Sequence, residues 1–218
     1  MKFHFDPICP WCYQTSRWAK QLERLGQIEL DWGVFSLEVV NLDKETGDPT
    51  IPAKRSGPAL RTAVAIRDSE GSRAIGPFYT ALGKRIWEQV PPAEDMAQAS
   101  REALAEAGLD PGLCDKALDD PGSWEAVLAE HQALVEHTRS FGVPTIVLDG
   151  GAGPAIFGPV IGELPSDEDA VALWQHVSWL VRYGNFSEVK RDRLSLPDLP
   201  VVEWNRQKRA EQKAKEGK

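Results

Sequence analysis

The sequence predicts an α/β domain made of two halves, β-α-β and β-β-α, with an all-helical segment inserted between them. Three observations predict it. A short aromatic run at residues 2–5 and an alternating run from Ile28 to Val34 bracket a stretch with helical spacing. A long helical pattern then fills residues 56–141. After it, two β-rich runs are joined by Asp149-Gly150-Gly151 and followed by one more amphipathic helix.

Taken in order, Lys2–Phe5 reads as the first strand. In the first helix Trp11, Thr15, Trp18, Ala19, Leu22 and Leu25 recur on one face, and Gly26 provides a C-terminal stop. Ile28, Leu30, Trp32 and Val34 alternate with Glu29, Asp31 and Gly33, the pattern of a half-buried strand. Within 56–141 the helices are punctuated by Gly71, Gly76-Pro77, Pro91-Pro92, Gly108 and Asp120-Pro121. Asp110-Pro111 and Asp120-Pro121 read as helix caps followed by proline in the first turn, where a missing N–H costs nothing. Thr145–Leu148 and Ala155–Phe157 form a hairpin. Ser166 caps a helix whose buried face is Ala170, Trp174, Val177 and Val181. The organisation expected is residues 1–55 and 142–195 as the two halves, 56–141 as the insertion, and 196–218 as an extended or disordered tail rich in Lys, Glu and Gln.

Composition narrows the function. At 218 residues, with 42% hydrophobic and 27% charged side chains, the chain suits one globular unit. No apolar run approaches the roughly 18 residues of a membrane span, and the first residues, Met1-Lys2-Phe3-His4-Phe5-Asp6-Pro7, do not read as a signal peptide. A cytoplasmic location is therefore expected. The net charge of -8 argues against nucleic-acid binding, which needs a positive surface; the basic end, residues 182–218, reads as a solvated terminus. In a reducing compartment three cysteines point to catalysis, metal binding or packing, and a disulfide framework is not expected.

Cys9-Pro10-Trp11-Cys12 carries the chemistry. Cys9 stands where a strand gives way to a helix, so free helix N–H groups should stabilise its thiolate and lower a pKa normally near ~8.5. It is the expected nucleophile. Cys12, on the same helical face, is placed to attack a mixed disulfide at Cys9 and resolve it. Pro10 suits the helix start, and Trp11 sets an amphipathic ring where substrate arrives. Half a zinc site is the competing reading, but only Cys114 and the scattered His4, His131, His137 and His176 are available to complete it, so no metal is assigned. Two merely packed cysteines are the third reading. Asp6 and Glu38 are candidate proton-relay groups for Cys12. Cys114 reads as a packed core cysteine and His131 as a core histidine. No glycine-rich phosphate fingerprint follows a strand, so no nucleotide or flavin cofactor is implied.

Cys9-Pro10-Trp11-Cys12 after the first strand, the inserted helices, and Val143-Pro144-Thr145 before the last hairpin together resemble the DsbA family of the thioredoxin superfamily. Phe5–Cys12, Thr15-Ser16-Arg17-Trp18, Ser36-Leu37 with Asn41, and Phe157-Gly158-Pro159-Val160 are similar to its cytosolic actinobacterial branch, which includes mycothiol-dependent nitroreductases. The resemblance spans roughly residues 3–195. It implies a thioredoxin-like fold, a cis peptide before Pro144, substrate contacts from Pro10, Trp11, Asn41, Val143 and Pro144, and a low-molecular-weight thiol such as mycothiol, or a thioredoxin-like partner, as electron donor. Trp11 stands where periplasmic oxidases of the family usually carry histidine, which favours a reducing role. The loop from Asn41 to Pro58 contains no aromatic residue to cover a flat substrate.

The leading expectation is thus a thiol-disulfide oxidoreductase acting on a disulfide or small electrophile. Beside it stand a thiol-dependent reductase of nitro compounds, an enzyme akin to kappa-class glutathione transferases and related isomerases, and a non-catalytic peptide-binding module. Kappa-class enzymes normally lack the second cysteine, so Cys12 counts against them. An apolar rim around Trp11 suits either substrate docking or a homodimer.

Overall fold

The two halves close into one four-stranded sheet. The computed structural model describes residues 1–216, and the strands lie in the order β2-β1-β3-β4. β1 (Lys2–Phe5) is central: it runs parallel to β2 (Asp31–Val34), with Lys2 opposite Asp31, and antiparallel to β3 (Thr145–Val147), with Phe3 opposite Ile146. β3 pairs antiparallel with β4 (Ala155–Phe157). β2 starts later than the alternation at Ile28 suggests, because β1 pairs from Lys2 onward and Ile28–Leu30 run ahead of that register.

α1 (Pro10–Arg24) is the crossover between the parallel strands and buries Cys12, Thr15, Trp18, Ala19 and Leu22. It ends as expected at Gly26, whose φ of +69° suits a residue without a Cβ. A short α2 (Leu37–Val40) leads into the insertion, made of α3 (Gly57–Glu70), α4 (Ile75–Gly83), α5 (Met96–Glu106), α6 (Gly112–Asp119) and α7 (Pro121–Thr138). Asp120 caps α7 by accepting from Gly122 N at 2.9 Å.

α4 positions the insertion against the sheet. Its Gly76 and Gly83 lie on one face, and a Cβ there would fall 2.6 Å from Trp32 Nε1 and 1.9 Å from Tyr13 Cε2. Only glycine allows this approach, which brings Tyr79, between them on the same face, onto Phe5 with ring centroids 4.0 Å apart.

α8 (Asp167–Arg182) begins at Ser166, whose hydroxyl accepts from Asp169 N at 3.1 Å. It lies on the far side of α1, where Trp18 Nε1 donates to Ala170 O. Of the expected inner face only Ala170 is fully buried; Trp174, Val177 and Val181 are half-buried. The expectation of an extended or disordered tail is corrected: Pro200–Glu216 form a helix, α9. Pro200 fits its first turn, and Leu199 and Val201, each 2% exposed, anchor it to the body.

Candidate active site

Backbone geometry places the cysteines. Cys9 is the N-cap of α1 in extended conformation, and its Sγ accepts from Cys12 N at 3.4 Å. Pro10 takes the first helical position. Across the sheet, the Val143–Pro144 peptide is cis, and Val143 O lies 3.7 Å from Cys9 Sγ. Cys12, fully buried, has its Sγ 3.8 Å from His4 O on β1. The two cysteines, Val143 and Pro144 are thereby gathered at one end of the central strands.

The electrostatics differ from the expectation for Cys9. Burial pushes its thiol up to about 11. The N–H groups of Cys12 and Trp11 and the Arg193 guanidinium act in the opposite direction, and the Asp6 carboxyl acts with burial. The helix end thus supplies the donors anticipated from sequence, but removal from water outweighs them. Cys12 is raised as well, first by burial and then by Cys9.

Asp6 is completely buried, and burial raises its carboxyl to about 7 although it accepts from Ile8 N at 3.0 Å and Leu37 N at 2.7 Å. Glu38 stands one step behind it. Its Oε2 accepts from Ser56 N at 2.8 Å and from the Ser56 hydroxyl at 2.9 Å, and its carboxylate also receives Arg55 N, so it anchors the start of α3. The buried Ser56 hydroxyl, which donates to Glu38, also acts to lower the Asp6 carboxyl.

The other anticipated residues divide. Trp11 is half-buried, with the Arg193 guanidinium 4.7 Å from its ring centroid. Asn41 closes α2 and spends its amide on Leu37 O at 2.7 Å, on an exposed stretch. Cys114 is buried in α6, Sγ facing Ala97 O at 3.6 Å. His131 packs on Phe35 and accepts from Ser36 N at 3.2 Å. Among the described residues no group of three or more His, Cys, Asp or Glu side chains is gathered to hold a metal ion, and no helix is long and apolar enough to cross a membrane.

Sequence reasoning missed two neighbours of the dithiol, Arg193 and Tyr79. Neither has a local signal. Arg193 comes from a segment read only as polar, and Tyr79 looks like one more aromatic on an apolar helix.

Similarity to known proteins agrees with this geometry. A family model described as Rv2466c-like, mycothiol-dependent nitroreductase Rv2466c, matches residues 8–191. A Mycobacterium tuberculosis relative, uncharacterized protein Rv2286c, is 32% identical over 200 residues, covering 92% of this chain and 84% of the relative. Among solved structures, a putative protein disulfide isomerase from Nitrosomonas europaea superposes with a TM-score of 0.56 at 14% identity, over 81% of this chain and 97% of that one. The cytosolic disulfide reductase DsbM from Pseudomonas aeruginosa gives 0.54 at 18% identity, over 82% and 98%. A 2-hydroxychromene-2-carboxylate isomerase gives 0.58 at 15%, over 83% and 95%. These likenesses identify the fold as thioredoxin-like with a DsbA-type helical insertion, and the extent of the family match shows that the chain belongs to the Rv2466c-like, mycothiol-dependent nitroreductase family.

Proposed function

We propose that the chain is a thiol-disulfide oxidoreductase that takes electrons from a low-molecular-weight thiol of the mycothiol or glutathione type and passes them, through Cys9 and Cys12, to a disulfide or small electrophile. The carrying observation is the pair itself: Cys9 caps α1 within reach of Val143 O, and Cys12 lies one turn behind it. In the reductive half, a thiolate attacks Cys9 Sγ of the oxidised pair, the Cys9–Cys12 bond breaks, and the electron pair passes to Cys12 Sγ. A second thiolate attacks the mixed disulfide, releases the oxidised small thiol and leaves the dithiol. In the other half Cys9 attacks the substrate disulfide and Cys12 closes the ring, expelling the reduced substrate. Asp6, with a carboxyl near 7, is the group suited to exchange the proton of Cys12, with Ser56 and Glu38 leading outward.

The direction of flow follows from the acidity. A strongly oxidising site is obtained by stabilising the reduced thiolate; here burial destabilises it, which supports a reductant. The family description favours nitro compounds as a second substrate class. Cys12 weighs against a kappa-like transferase or isomerase role, despite the shared fold. The cytosolic placement of its structural neighbour DsbM supports work in the cytoplasm.

The test is turnover with a low-molecular-weight thiol and either a peptide disulfide or a nitroaromatic. Wild type turns over at least one of them, Cys9→Ser none, and Cys12→Ser accumulates a mixed disulfide at Cys9 visible by intact mass. Equal turnover by Cys9→Ser would remove the proposal.

A further inference from the structure

The phenol of Tyr79 is a buried polar group that the chemistry above leaves unused. Its side chain is completely buried, and its hydroxyl has no hydrogen-bond partner among the described residues. Such a donor costs stability unless something compensates it. Its position is tightly determined. The ring stacks on Phe5 at 4.0 Å, meets Tyr13 and Trp32 edge-on at 5.9 and 5.7 Å, and has the Lys20 ammonium 5.6 Å from its centroid. The two close approaches at Gly76 and Gly83 hold α4 against this cluster. Phe5, on which the ring stacks, follows His4, whose carbonyl lies 3.8 Å from Cys12 Sγ, and Tyr13, which the ring meets edge-on, follows Cys12, so the phenol belongs to the packing around Cys12, the sulfur released as an anion when an external thiolate attacks Cys9.

We propose that Tyr79 is a further catalytic residue of the dithiol chemistry, its phenolic O–H donating a hydrogen bond to Cys12 Sγ as that sulfur becomes the leaving thiolate. The inference rests on the redox reading above. The bond that breaks is Cys9–Cys12, the bond that forms joins the incoming sulfur to Cys9, and the electron pair ends on Cys12. Tyr79 keeps its proton throughout. Burial and the neighbouring cysteines push its phenol well above its ordinary value, so it remains a donor across the working range. Together with Asp6 N–H it opposes the burial that raises Cys12. The titratable groups facing Cys12 are Cys9, Asp6 and Tyr79, and those facing Tyr79 also include Tyr13 and Lys20. A neutral thiol demands little of this donor, whereas a thiolate in a dry site demands much. That contrast accounts for an unpartnered hydroxyl in the resting state.

The experiment is stopped-flow reduction of the Cys9–Cys12 disulfide by a small thiol in wild type, Tyr79→Phe and Tyr13→Phe. Tyr79→Phe retains the stacked ring and should slow opening about tenfold or more, the size expected for losing a hydrogen bond to a charged sulfur. Tyr13→Phe, whose hydroxyl donates instead to Glu88 at 2.8 Å, should leave the rate unchanged. Alkylation of Cys9 in a Cys12→Ser background should be equal with and without Tyr79→Phe, which a general disturbance of the fold would not allow. As a measurement independent of the variant's folding, the Tyr79 Cζ resonance in carbon-13-labelled Cys9→Ala protein should move as Cys12 ionises. An unchanged opening rate in Tyr79→Phe, or a Tyr79 resonance blind to Cys12, overturns the inference and leaves the redox reading standing. Failure of wild type to form the disulfide overturns both.

Discussion

The strand and helix that open the chain and the strand and helix that close the domain have the same local grammar but are buried differently. In β1 Phe3 and Phe5 are 0% exposed, and α1 hides Cys12, Trp18, Ala19 and Leu22 completely. β4, at the sheet edge, is half-buried at all three residues, and α8 buries only Ala170 fully while Trp179 stays 62% exposed. The sulfurs proposed to react, Cys9 and Cys12, belong to the first pair. The second contributes support, covering Trp18 on the far face of α1 and pairing with β3, which Val143 and Pro144 lead into. Sulfur chemistry in a dry, fixed position requires dense packing around it, and a supporting layer does not.

The sharpest break of this contrast is chemical. Cys9→Ser should abolish turnover altogether, measured with the small-thiol assay, while Trp179→Ser, the largest exposed side chain of α8, should leave it unchanged. Next comes stability. Phe5→Ala removes a ring packed on Trp32 and Tyr79 and should cost about 3–5 kcal/mol in urea unfolding. Trp174→Ala, half-buried on the second pair, should cost about 2 kcal/mol, less than a full aromatic deletion. Equal losses would contradict the difference in packing.

Asp6 makes a pH-dependent distinction. Its carboxyl is near 7 when folded and near its ordinary 3.8 when unfolded. Between those values the unfolded chain has lost the proton that the folded chain keeps. Stability is therefore fully present below about pH 4, falls as pH rises towards 7, and is flat above. The fall should amount to at most about 4 kcal/mol and should disappear in Asp6→Asn. Cys9, in a Cys12→Ser background, should alkylate slowly at neutral pH, its rate climbing towards pH 11 and not levelling off near ~8.5. The smallest effect belongs to Trp179→Ser, expected within about 0.5 kcal/mol of wild type.

The same contrast explains what could be read from sequence. β1, α1 and the final hairpin carry local signals, namely alternation, a helical apolar face ended by Gly26, and a glycine turn between β-rich runs. The placement of Cys9 and Cys12 at the start of α1 was legible because a CxxC between a strand and a helix is a short local motif. Tyr79 and Arg193 were not, since their relation to the cysteines arises from chain folding across scores of residues. The acidity of Cys9 was misjudged for a related reason: the helix end is visible in sequence, but the depth at which it is buried is not. The C-terminal helix was hidden because Lys, Glu and Gln favour both helix and disorder, and the burial of Leu199 and Val201 against the body decides between them. Glu38 and Asn41 show what a motif leaves unsaid about local structure: Glu38 also receives the first N–H groups of α3, and Asn41 also closes α2.

The most direct test of the central claim is the reduction potential of the Cys9/Cys12 pair, measured by equilibrating the protein in thiol-disulfide buffers and counting free thiols by mass. The account predicts a reversible two-electron couple confined to Cys9 and Cys12, near the reducing end of the range at roughly -270 mV, with Cys114 unmodified. A protein that forms no such disulfide, or binds zinc stoichiometrically through these cysteines, would contradict it.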